Sequence, residues 1–175
     1  MEEEIVQRAI AFATVAHEGQ VRKYTGEPYV THPIAVAKIV ATVEGHTPEM
    51  LAAAVLHDTV EDTPVTIEQV EAEFGPVVAE LVDWLTDVSK PEDGNRETRK
   101  AIDREHSAAA PAQAQTIKVA DLIHNTASIS RHDPNFWKVY RREKELLLNL
   151  LTEADERLRS KAWRQVLFGN ANESV

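Results

Sequence analysis

The chain has no cysteine. Disulfides and thiolate metal sites are therefore excluded, and any metal must be held by His, Asp, Glu or Asn. Oxygen and nitrogen donors of that kind suit Mn, Fe, Mg or hydrolytic Zn. No apolar run approaches the ~20 residues that a bilayer-spanning helix needs. Basic residues are in deficit, 19 against 29 acidic, for a net charge of −10. That balance argues against a broad nucleic-acid-binding surface, and with no spanning run no membrane partner is expected. A small phosphorylated ligand stays compatible with it, because exposed charges are screened over roughly 8–10 Å. No glycine-x-serine-x-glycine elbow occurs, and with no cysteine nucleophile, direct attack by water is the hydrolytic route that remains. No segment sustains strand alternation. The one strand-like stretch, Lys23 to Thr31, is rich in turn residues, and no internal repeat is present.

What is present is a chain of 175 residues, 43% hydrophobic, enough for one domain with a substantial core. Met1-Glu2-Glu3-Glu4 is acidic, the opposite of a secretory n-region, so a cytoplasmic location is expected. The apolar periodicity predicts an all-α fold. Ile5, Val6, Ala9, Ile10, Ala13 and Ala16 share one helix face. A second helix starts at Pro33, with His32 just before it, because proline at the first turn wastes no N–H. Thr47-Pro48-Glu49 is a start signal for a helix carrying residues 50–60. Thr66 to Gln69 fits a capping box opening a helix to Phe74, and Gly75-Pro76 separates it from another over 77–88. Residues 89–98 read as a mobile surface loop. Further helices are predicted over 96–109, 112–130, 134–151 and 153–167. Residues 1–168 are expected to form one domain and 169–175 a frayed tail. Trp84, Trp137 and Trp163 suit either a core or an interface, so an oligomer is compatible with the sequence.

Residues 57–62, HDTVED, follow the apolar run 51–56. Three carboxylates and a histidine beside a buried helix are costly unless a proton or a cation compensates. On a continuous helix the spacings His57–Glu61 and Asp58–Asp62 bring these side chains onto one face. The plain alternative is a solvated helix end. His32 is a second candidate ligand, although a lone His-Pro is also an ordinary helix entry. Asp121, an acid among apolar neighbours in TIKVADLIHN, needs a partner. Asn125, four residues on, shares its face, and a salt bridge to a basic side chain is the alternative. Two His and two Asp would suit Mn, Fe or Zn. The loop Arg22-Lys23-Tyr24-Thr25-Gly26-Glu27-Pro28-Tyr29 offers two cations and two aromatics, which can grip phosphate and pack on a ring, or simply form a solvated turn.

RKYTGEPYVTHP at 22–33, HDTVED at 57–62 and KVADLIHN at 118–125 resemble, in order and spacing, the HD-type hydrolase domain of the RelA/SpoT family. The short length and NRETRK at 95–100 resemble its small stand-alone alarmone hydrolases, the Mesh-type group. The resemblance covers roughly residues 5–155, and the chain is too short for the synthetase domain of long members. It implies a metal-dependent enzyme that hydrolyses the 3′-diphosphate of guanosine tetraphosphate or pentaphosphate, releasing pyrophosphate and GDP or GTP, with a manganese cofactor. By motif position, His32, His57, Asp58 and Asp121 would hold the metal. Glu61 and Asp62 would position or deprotonate the attacking water. Arg22 and Lys23 would contact the nucleotide, and Tyr29 and Asn125 would line its pocket. Leu122 and Ala127 stand where the family often carries arginine. Another phosphorylated nucleotide, such as a dinucleotide phosphate, is the alternative substrate, and a non-catalytic nucleotide-binding module is a further alternative.

Overall fold

Caps and prolines cut the chain into helices. Thr47 accepts a hydrogen bond from the Met50 N–H and Pro48 follows it, opening α3, Pro48–Leu56. Thr66 and Gln69 form a reciprocal capping box at the start of α5, Ile67–Phe74. Gly75 (φ 86°) then turns the chain into α6, Pro76–Leu85. The computed structural model describes residues 2–169. Among these are ten α-helices and one 3₁₀ turn, and the only β pairing is an isolated antiparallel bridge, Val21 to Pro28. The fold is all-α, as the periodicity predicts. The strand-like stretch after Lys23 closes instead as a turn, with Arg22 N–H on Glu27 O at 2.8 Å and Gly26 N–H on Arg22 O at 2.9 Å. Gly26 has φ 72°, which favours glycine. The frayed tail expected after Gly169 lies outside the described residues. The helices fall into two units, one up to Thr86 and one from Asp87.

In the first unit α3 is the central element. Ala52, Ala53, Ala54, Val55 and Leu56 are fully buried, so the helix is covered on every side. Against it pack α1 (Glu2–Ala16), α2 (Thr31–Val40) and α6. They contribute Ala9 and Ala13, Val36 and Val40, and Val78 and Val82.

Two boundaries differ from the sequence expectation. α2 begins at Thr31, so His32 sits in its first turn rather than before it. The helix expected over 50–60 ends at Leu56, and α4, Thr59–Asp62, follows. Side-chain bonds to the backbone accompany this second break. His57 Nδ1 binds Ala54 O at 2.8 Å and the Thr59 hydroxyl donates to Leu56 O at 2.7 Å, taking carbonyls that a continuing helix would use.

The second unit is built on α8, Ala112–His132, with Ile117, Val119, Ala120 and Leu122 buried. α7 (Arg96–Ala109), α9 (Pro134–Leu150) and α10 (Glu156–Phe168) pack on it. The stretch 89–98 is a loop only in part, because it holds the 3₁₀ turn Pro91–Asp93 and the start of α7. Its entry is pinned by the buried Asp103 carboxylate, which accepts from Val88 N–H, Ser89 N–H and the Ser89 hydroxyl at 2.9–3.1 Å. Gln115 ties Ala108 and Ala110 carbonyls to Glu153 N–H. Trp84, Trp137 and Trp163 are all half-buried.

Asp103→Ala removes the buried carboxylate that two backbone donors and the Ser89 hydroxyl share and is expected to cost about 1.5–3 kcal/mol in urea unfolding. A second prediction concerns Lys144. Burial, then the neighbouring Lys118 charge, push its ammonium down to about 8, while Asp121 and Asp87 oppose the shift. An unfolded lysine titrates near ~10.4. Between these two values the unfolded chain holds a proton that the folded chain has released, so stability gains as pH rises through that window. Below it the buried charge is a constant cost. Lys144→Met is therefore expected to be more stable than the wild type at neutral pH, with the difference shrinking as urea titrations move from roughly pH 8 to pH 10.4.

Candidate metal centre

The break between α3 and α4 is what creates the site. It leaves His57 as the C-cap of α3 and Asp58 as the N-cap of α4, facing the first turn of α2 with its His32. His32 is 1% exposed and His57 3%, so both rings are removed from water. Asp58 is half-buried. His57 Nε2 stands 3.0 Å and His32 Nε2 3.5 Å from Asp58 Oδ2. The two imidazoles meet edge to face at 5.2 Å. One donor atom from each of the three residues lies within 4.8 Å of the others.

The tautomer of His57 follows from its partner. A carbonyl only accepts, so Nδ1 beside Ala54 O carries the proton, and in the neutral ring Nε2 is the lone-pair nitrogen. Two lone-pair atoms 3.0 Å apart, nitrogen and carboxylate oxygen, repel each other unless positive charge lies between or beside them. Ligands about 2.0–2.2 Å from one cation and at right angles to each other are themselves about 3 Å apart. The backbone carbonyl behind His57 is the outer support that metal-binding histidines use. The three residues thus fit a divalent cation.

The acidic pair lies on α4. Asp62 N–H donates to Asp58 O at 2.9 Å, so the four-residue spacing survives the break. Tyr29 connects the carboxylates: its hydroxyl donates to Asp58 Oδ2 at 2.7 Å and lies 3.3 Å from Asp62 Oδ2. Desolvation of the Asp62 carboxylate, then the negative charge of Asp58, push its pKa up, and the Tyr29 hydrogen bond opposes them. Glu61, its neighbour on the same short helix, is exposed, as Asp62 is.

The expected nucleotide-contacting residues are distributed over both units. In the first, the Arg22 guanidinium lies 5.6 Å over the Tyr29 ring, and Lys23 Nζ lies 5.0 Å over Tyr24. In the second, Asn125 Nδ2 donates to Asp121 Oδ1 at 2.7 Å on α8, as their four-residue spacing predicts. Leu122, beside Asp121, is 1% exposed and belongs to the core of that unit. Sequence reasoning missed His17 and Gln20, which stand behind Tyr29. His17 is 3% exposed, its Nδ1 is 2.8 Å from Gln20 Oε1, and Gln20 Nε2 donates to Asp62 O at 3.0 Å. The available signal was a histidine continuing the apolar Ala9–Ala13 face of α1.

Asp58→Ala removes the acceptor that both histidines face. Metal content measured after loading with manganese is expected to fall from one ion per chain to none, with helical circular dichroism retained.

The chain is similar to known proteins along most of its length. The HD domain family matches residues 9–148. The zebrafish (Danio rerio) guanosine-3′,5′-bis(diphosphate) 3′-pyrophosphohydrolase MESH1 is 36% identical over 140 residues, covering 78% of this chain and 76% of that protein. The Xenopus tropicalis MESH1 is also 36% identical, over 142 residues, with the same coverage. A guanosine-3′,5′-bis(diphosphate) 3′-pyrophosphohydrolase of Haemophilus influenzae is 40% identical over 124 residues, and there the match spans 18% of the longer protein. The solved structure of a metazoan ortholog of SpoT that hydrolyzes ppGpp superposes with a TM-score of 0.81 at 30% identity, covering 92% of this chain and 94% of the other. An all-helical fold, a buried His–His–Asp cluster and this set of relatives agree: the chain belongs to the HD-domain family, among the relatives named MESH1 pyrophosphohydrolases.

Proposed function

We propose that the chain is a manganese-dependent hydrolase that removes the 3′-diphosphate of guanosine tetraphosphate or pentaphosphate, yielding pyrophosphate and GDP or GTP. The observation that carries the reading is the convergence of His57 Nε2, His32 Nε2 and Asp58 Oδ2 on one point in a buried setting. The activity is that of the MESH1 relatives and of the SpoT ortholog. We take residues 1–168 as one HD-type domain working in the cytoplasm on a free nucleotide.

His32, His57 and Asp58 hold the cation in this reading, and Asp121 is the fourth ligand by its place in the family motif. When bound, the cation neutralises phosphoryl oxygens and acidifies the attacking water. Glu61 or Asp62 accepts the proton of that water. Desolvation and the Asp58 charge both push the Asp62 carboxyl above its ordinary value, which favours its accepting that proton. Glu61 and Asp62 are both exposed on α4, so either can exchange that proton with solvent. Arg22 and Lys23 supply positive charge to the phosphates, and Tyr29 and Asn125 border the nucleotide.

A second substrate class, another phosphorylated nucleotide such as a dinucleotide phosphate, is favoured by Leu122 and Ala127. These remove two guanidinium groups that would grip a highly charged substrate.

Incubation of the purified chain with guanosine tetraphosphate is expected to give GDP and pyrophosphate with manganese and no product after chelation. Release of orthophosphate, or a preference for another member of a nucleotide panel, would favour the second class. Glu61→Gln is expected to keep its manganese while turnover falls by roughly 10²–10⁴. A variant with full turnover would remove Glu61 from the mechanism and leave Asp62 as the base.

A further inference from the structure

Tyr29 sits where contact with a nucleotide alone would not require it. Its hydroxyl donates at 2.7 Å to Asp58 Oδ2, the same oxygen that faces His57 Nε2 at 3.0 Å and His32 Nε2 at 3.5 Å. A phenol has one proton to give, and the longer 3.3 Å approach to Asp62 Oδ2 leaves Asp58 as its main acceptor. The bond uses one lone pair of Oδ2 and leaves another for a cation. It also stops rotation of the carboxylate, which is otherwise a soft torsion.

The ring itself is held from several sides. His17 lies against it with centroids 4.7 Å apart, His32 meets it edge on at 5.8 Å, and the Arg22 guanidinium covers it at 5.6 Å. Its backbone is held too, with Tyr29 N–H on Gln20 O and His32 N–H on Tyr29 O, each at 2.9 Å. Gln20 is oriented without ambiguity. The Asp62 carbonyl accepts only, so Nε2 of Gln20 faces it and Oε1 faces His17, whose Nδ1 therefore carries the proton. One side chain thus joins the end of α1 to the end of α4. His17 Nε2 is buried and has no hydrogen-bond partner, a cost that an apolar packing residue would not incur.

We propose that Tyr29 is a positioning residue of the metal centre: its hydroxyl orients the Asp58 carboxylate towards the cation, and His17 and Gln20 buttress it. The role rests on the cation at His32, His57 and Asp58 proposed above. It differs from a nucleotide contact in one measurable respect, because it acts when no nucleotide is present.

The test is titration of cobalt(II) into the metal-free full chain, nucleotide absent, followed by calorimetry and by the visible absorption of the bound ion. Loss of an outer-shell partner weakens a metal by about 10–100-fold, and that is the loss expected for Tyr29→Phe, with altered cobalt bands. The phenyl ring preserves the stacking on His17, so helical circular dichroism is expected to be unchanged. Gln20→Leu, which frees the Asp62 carbonyl and His17 together, is expected to weaken cobalt in the same direction by a smaller factor. It provides the reading if Tyr29→Phe does not fold. Wild-type affinity and spectrum in Tyr29→Phe would overturn the positioning role and leave the metal centre standing. A wild-type chain that takes up no cobalt would overturn the metal centre itself, and the role of Tyr29 with it.

Discussion

The carboxylate oxygen Asp58 Oδ2 is the point on which the site depends. It is approached by a phenol at 2.7 Å and by imidazole nitrogens at 3.0 and 3.5 Å. With the His57 tautomer set by Ala54 O, the nearest of those nitrogens offers a lone pair in the neutral ring. Negative charge and lone pairs at such separations in a half-buried place require a compensating positive charge. The folded chain is therefore prepared for a cation.

The first unit is arranged to make that encounter possible. α3 carries a run of alanines with no exposed surface, which lets α1, α2 and α6 pack close around it. A helix so completely covered would carry His57 and Asp58 into apolar surroundings if it continued. It stops instead at Leu56, where His57 and Thr59 bond the carbonyls of Ala54 and Leu56 with their own side chains. The C-cap residue of α3 is thus also a candidate ligand, and its bond to Ala54 O sets the tautomer of the neutral ring. The acidic pair on α4 stays in step through the backbone bond from Asp62 to Asp58.

The second unit carries its charges differently. Lys100 and Lys118 are paired with Asp87, at 2.8 and 3.6 Å, and hold its carboxyl below the usual carboxylate range against the opposing effect of burial. Asp121 is oriented by Asn125 one helical turn away. Where the wider family often carries arginine next to this aspartate, Leu122 is buried in the core. Its side chain contributes to packing rather than charge.

Local rules wrote most of the fold into the sequence. Apolar periodicity, the Thr47 and Thr66 caps, the Gly75-Pro76 break and the start of α7 at Arg96 each act over a few residues, and each lies where the pattern predicts it. His57 and Asp58 were legible as chemistry because carboxylates beside an apolar helix are conspicuous. Two things were not legible. The end of α3 at Leu56 comes with side-chain bonds from His57 and Thr59 to backbone carbonyls, and helical periodicity carries no sign of them. The buttress of His17, Gln20 and Tyr29 depends on contacts across 29 and 42 residues of chain, between Tyr29 and Asp58 and between Gln20 and Asp62. The sequence by itself determined which helices form and which side chains could bind a cation, because those follow from local propensity and donor chemistry. Only the tertiary structure decided which carboxylate oxygen faces which nitrogen and which proton holds it there, because those distances arise from packing between helices that the sequence keeps far apart.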